Sequence, residues 1–84
     1  AQTRAAWSMF QAARERAQIH VTEVLPAAVE AADLAREAYR AGRLDLTGLL
    51  AAEQRRLVAQ TRVDQSVADR ARALAALRRS MGTP

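Results

Sequence analysis

His20 is the single histidine of the chain, and Glu23, one helical turn on, is the only residue spaced to join it on a metal ion. Structural zinc takes four protein ligands and catalytic zinc three, so this pair falls short of a site. Neither Met9 nor Met81 completes it, and His20 reads as a surface histidine in a polar stripe with Arg16 and Glu23. Ser8, Ser66 and Ser80 have no base from which to draw nucleophilic character. Glu53, Asp64 and Asp69 are strung along a charged face with arginines close by. Gly42 and Gly48 flank a turn that lacks the rest of a phosphate-cradling loop. There is no cysteine, which excludes disulfides and thiol chemistry. The sequence therefore assigns no catalytic residue, no cofactor and no metal, and the chain reads as something other than an enzyme.

If chemistry is absent, partners remain. All 13 basic residues are arginine, and against 9 acids they give a net charge of +4. They are interleaved with acids, as in Arg14-Glu15-Arg16, Arg36-Glu37 and Asp69-Arg70, which is the pattern of a solvated helix surface with local ion pairs. An arginine-rich binder of nucleic acid needs a one-sided basic stripe, so no nucleic-acid partner is expected. No apolar run approaches the ~18–20 residues that span a bilayer. The opening Ala-Gln-Thr-Arg carries neither an initiator Met nor a signal-peptide core, and the sequence reads as a piece of a longer protein.

Half of the 84 residues are apolar, much of that half is alanine, and there is one each of Trp, Tyr and Phe. That composition suits long helices, with no strand signal anywhere. A first arm is expected over about 3–41, roughly 55–60 Å long at ~1.5 Å per residue. Its seam reads Phe10, Arg14, Ala17, Val21, Val24, Ala28, Ala31, Ala35, Ala38 and Gly42. Leu25, Val29, Ala32 and Tyr39 lie beside it and widen the apolar face beyond what one partner helix needs. Pro26 cannot donate to the carbonyl of Thr22, so the arm either kinks there or restarts with Pro26 in a first turn. The pattern reads in phase across it, which favours a kink near Pro26. A second arm is expected over about 46–81, with Leu46, Leu50, Leu57, Val67, Ala71, Leu74 and Met81 in one register that Glu53, Gln60, Asp64 and Arg78 share. Gly82 and Pro84 follow as a helix stop. Trp7, Met9 and Phe10 read as core at the open end, with contact to another part of a parent protein as the alternative.

Between the arms, a turn over about 42–45 must fold them back. Gly42 can take the left-handed conformation that ends a helix, and Asp45 can accept from the free N–H groups that start the next. The fold class is thus all-α, an antiparallel two-helix hairpin of coiled-coil character. Arg43 and Leu44 stand at the apex, either as plain loop residues or as a docking contact.

The order Tyr39-Arg40-Ala41-Gly42-Arg43, a short turn, Leu49-Leu50-Ala51-Ala52-Glu53-Gln54 and a long Arg/Ala-rich helix ending Leu77-Arg78-Arg79-Ser80-Met81-Gly82 resembles the C-terminal end of outer-membrane efflux factors, the TolC-like family. Leu25-Pro26 is similar to its heavy-metal-efflux, CzcC-like branch, and the resemblance runs from about residue 17 to 82. Members are trimers whose outer-membrane β-barrel continues into a periplasmic barrel of helices. The resemblance implies the last periplasmic hairpin of such a duct, in the periplasmic portion of an outer-membrane protein. It implies that Tyr39, Gly42, Arg43, Leu44, Asp45 and Leu46 form the tip that meets a periplasmic adaptor and, through it, an inner-membrane pump. The family usually carries an acid where this chain has Gly48, and often another at Ala51, so its charge pairing at the entrance does not carry over. Helices in a tubular wall have neighbours on both flanks, which fits the wide apolar faces. Alone, the hairpin is expected to self-associate as a homodimeric four-helix bundle. The rival readings are a free-standing helical module that binds a partner helix and, after it, an arginine-rich nucleic-acid-binding helical hairpin, against which the even mixing of acids along both arms argues.

Overall fold

A computed structural model describes residues 2–82. Helix α1 spans Gln2–Ile19, a π-helical turn spans His20–Val24, α2 spans Leu25–Arg40 and α3 spans Leu46–Ser80. The backbone stays right-handed helical through the π turn, with Ile19 at φ −62, ψ −44 and Leu25 at φ −65, ψ −48, so α1, the turn and α2 make one unbroken arm. No glycine or proline lies between Leu49 and Met81, and α3 runs back beside that arm in a rod of 60 × 16 × 15 Å. Among the described residues there is no strand, and no helix is long and apolar enough to cross a membrane. The hairpin is the fold the sequence leads one to expect. Gly82 stands at φ 74 just past α3, whereas Pro84 lies outside the described residues.

The line of contact between the arms is made of small side chains. Ala13, Ala17, Ala32 and Ala35 are buried on the first arm, and Ala52, Ala59, Val63 and Leu77 on α3. Ala17 and Ala32 keep no exposed surface at all. The seam expected from the sequence is therefore only half right. Ala17 and Ala35 belong to it, but Arg14, Val21 and Ala31 are exposed. On α3 the correction is larger: the register of Leu46, Leu50, Leu57 and Met81 faces outward, and the inner line is Leu49, Ala52, Arg56, Ala59, Val63 and Ser66, continued by Ala73, Leu77 and Ser80. Short side chains let two helix axes close up along their whole length, which a line of leucines would prevent.

Pro26 explains why the first arm resists a single register. Up to the π turn, Ala6, Phe10, Ala13, Ala17 and His20 step inward by four and three residues; from the start of α2, Leu25, Ala28, Ala32 and Ala35 do the same. The step from His20 to Leu25 is five. There the N–H of Leu25 bonds to the carbonyl of His20, five residues back, which is the π pattern. Widening that turn accommodates a ring that cannot donate and that crowds the carbonyl four residues back. The hydroxyl of Thr22 donates to the carbonyl of Gln18 at 2.7 Å in the same stretch. Pro26 thus stands in the first turn of α2, as one of the two readings had it, but the pattern does not run in phase across it: the inserted residue rotates the inward face by one position. As a result His20 is not a surface residue. It is half-buried in the seam, with its Nδ1 buried and without a hydrogen-bond partner.

The open end is held by Thr3, whose hydroxyl donates to the carbonyl of Ser80 at 3.1 Å. Trp7 and Phe10 stack at a tilt, with centroids 6.2 Å apart. Only Phe10 turns inward; Trp7 and Met9 are exposed, Met9 to 68%, so they are not the core expected of them. One helix offers too little surface to cover both sides of its partner.

Close packing along the seam has a measurable consequence. Ala17→Leu or Ala32→Leu is expected to destabilise the hairpin by about 1–3 kcal/mol through overpacking, whereas Ala75→Leu on the exposed side should stay within about 0.5 kcal/mol. Urea unfolding followed by far-ultraviolet circular dichroism decides it; a neutral Ala32→Leu would mean that the arms are not in close contact there.

Candidate functional site

The tip is built by its hydrogen bonds. Ala41 caps α2, Gly42 follows at φ 76, and the Gly42 N–H bonds to the Tyr39 carbonyl at 3.0 Å while the Arg43 N–H bonds to the Ala38 carbonyl at 2.8 Å. These two bonds are the Schellman pair that closes a helix on a left-handed residue. Two residues later the chain is extended at Asp45, φ −80 and ψ 170, and its Oδ1 accepts from the Gly48 N–H at 2.8 Å. That is an N-cap for α3, and a carboxylate there also meets the positive end of the helix dipole.

Leu44, just before the cap, is half-buried and folds back over the first turn of α3. A Cβ placed on Gly48 would lie 2.5 Å from Leu44 Cδ1 and 2.9 Å from its Cγ. Gly48 therefore provides the space that Leu44 occupies. This contact was invisible in the sequence, where Leu44 looked like a free apex residue. The six residues assigned to the tip thus divide by role. Gly42, Leu44 and Asp45 shape the turn. Tyr39, at 42% exposure, Leu46, at 52%, and the exposed Arg43 present their side chains to solvent.

Two turns up from the tip, four charged residues tie the arms together. Arg36 Nε meets Glu53 Oε1 at 2.7 Å across the hairpin, and Arg36 Nη1 meets Asp33 Oδ1 at 2.6 Å. Arg56 Nε lies 3.4 Å from Glu53 Oε2. The hydrogen bond from Arg36 holds the Glu53 carboxyl below its usual range, and Glu53 in turn raises Arg36. Glu53 and Arg36 are 17 residues apart, so local charge patterning pairs each with its own neighbours and misses this link. Arg36 stands six residues before Gly42 and Glu53 eight after Asp45, so only the geometry of the turn brings them level.

Chemically, the tip offers a phenol, a guanidinium and an isobutyl group on a turn fixed at both ends by its caps. Among the described residues no group of three or more His, Cys, Asp or Glu could hold a metal ion. Comparison of the chain with protein-family models, with curated proteins and with solved structures finds no match.

Two outcomes follow from this geometry. Gly42→Ala is expected to cost about 1–2 kcal/mol, because an L-residue with a Cβ must take the left-handed conformation there, and Asp45→Ala about 1 kcal/mol for the lost cap; thermal melts of both variants measure this. The ion pair adds a pH signature. Since the Glu53 carboxyl is lowered on folding, its contribution is present at neutral pH and is lost as the pH falls below the ordinary glutamate range. Wild type should therefore melt above Glu53→Gln at about pH 7, with the gap narrowing as the pH falls below the ordinary glutamate range. A gap that persists in acid would show that Glu53 acts by packing, not charge.

Proposed function

We propose that this chain is a wall segment of the periplasmic helical conduit of an outer-membrane efflux channel, with its tip docking a periplasmic adaptor that leads to an inner-membrane pump. The observation that carries the reading is the distribution of size across the hairpin. Alanines fill the contact between the arms, and Leu34, Leu46, Leu50, Leu57 and Val58 are turned out to either flank. A free-standing domain hides its large side chains; a stave in a barrel needs them on its edges. The resemblance to the TolC-like family supplies the identity of the barrel, and the parent would then be a trimer.

The tip geometry supports the docking half of the reading. Tyr39, Arg43 and Leu46 project from a turn fixed by a Schellman closure and an N-cap, so a partner meets a pre-organised surface. Tyrosine and arginine are also the side chains that dominate binding at interfaces. Gly48 gives a physical account of the departure from the family's acid at that place: any side chain there would displace Leu44. The heavy-metal branch rests on Leu25-Pro26, with the metal as cargo and no metal resident in the hairpin.

Fractionation of the source cells tests this directly. An antibody against the chain is expected to detect a band several times larger than 9.2 kDa in the outer-membrane fraction. In that protein, cysteine at Arg43 should crosslink a periplasmic adaptor, whereas cysteine at Thr61 in mid-arm should not. A soluble band at the chain's own mass would overturn the conduit reading and favour a free helical module.

A further inference from the structure

The outer stripe of α3 is the longest apolar feature that the fold leaves uncovered. Leu46, Leu50, Leu57, Val67, Leu74 and Met81 recur along it at heptad-compatible spacings, and Leu50 and Leu57 are each more than half exposed. Glu53 shares this register and reaches Arg36 across the arms, so the stripe runs along the ion-paired flank of the hairpin. Val29, seven residues before Arg36, extends the apolar surface onto the first arm and is exposed as well.

A two-fold interface requires a patch that complements itself. Laid antiparallel on its own copy in full overlap, the stripe sets Leu50 against Met81, Leu57 against Leu74 and Glu53 against Arg78. Near the axis, Gln60 meets Ala71 and Asp64 meets Val67. Two of these pairs are apolar and one sets Glu53, which also holds Arg36, against a base, while Gln60 and Asp64 near the axis face apolar side chains. A parallel alignment would instead set Glu53, Asp64 and Arg78 each against itself, which is repulsive in every case. If both arms contribute along the overlap, two helices about 10 Å wide over about 46 Å would give roughly 900 Å² per copy, against the ~800 Å² per partner of a stable interface.

We propose that two copies of this chain pair through this stripe as an antiparallel four-helix bundle, with the two-fold axis between Asp64 and Val67. The inference rests on the fold alone and not on the conduit reading. Sedimentation equilibrium at tens of micromolar is expected to give twice the 9.2 kDa chain mass. The double variant Leu50→Glu, Leu57→Glu should give a single-chain mass with its helical circular dichroism retained, since both positions are exposed. The chain has no cysteine, so register can be read by oxidation. A mixture of Leu57→Cys and Leu74→Cys chains should form disulfides at least tenfold faster than either chain alone. A monomeric wild type, or faster bridging in Leu57→Cys or Val58→Cys alone, would overturn the proposal. A monomer would leave the conduit reading standing, because that reading is decided by the outer-membrane fraction.

Discussion

Two helices have one line of contact, and whatever fills that line decides everything that faces outward. In this chain the line is alanine. Ala17 and Ala32 are completely covered, and Leu77 is the largest side chain in the buried set. Alanine contributes little hydrophobic area per residue, but it fixes no rotamer and lets the backbones approach, so the gain comes from long, close contact. The consequence is an inversion of the usual globular arrangement. Leucine, valine and methionine are left at the surface because the seam has no room for them, and the molecule carries its unsatisfied apolar area along its flanks. That surface is what the proposed duct wall or second copy would cover.

The two ends of the rod are locked by different means. At the tip, the left-handed Gly42 ends one helix and the Asp45 carboxylate starts the next, so the reversal is specified by backbone chemistry within a few residues. Leu44 and Gly48 complete it by packing, one filling what the other leaves open. At the open end the Thr3 hydroxyl donates to the Ser80 carbonyl across the arms. The charged network of Asp33, Arg36, Glu53 and Arg56 lies near the tip, where it holds the arms in register. Exposed ion pairs contribute modestly to stability. Their effect here is on alignment, since Arg36 and Glu53 meet only if the arms are neither slid nor rotated.

Pro26 shows how one residue can reset a long helix without breaking it. A ring that cannot donate would interrupt the ladder of hydrogen bonds; the π turn beside it absorbs the defect and adds one residue to the inward count. Every inward position between Leu25 and the tip is displaced as a result. His20 is drawn into the seam at this point, with its Nδ1 buried there.

The sequence by itself determined the helices, their ends and their reversal, because these depend on residues close together in the chain: alanine-rich arms, Gly42 past one helix and Asp45 before the next. Tyr39, Arg43 and Leu46, three of the six residues it assigned to the tip, lie exposed at or beside the turn. It could not say which face of each arm turns inward. Leu46, Leu50 and Leu57 form the more hydrophobic stripe, and a reading by hydrophobicity chooses them for the seam. Only the packing of one arm on the other chose Ala52, Ala59 and Val63 instead, since the approach of two backbones is a property of the pair. The same holds for Leu44 over Gly48, for the link between Arg36 and Glu53, and for the one-residue shift at the π turn. Each is set by where a distant part of the chain comes to lie, and local spacing does not contain that distance.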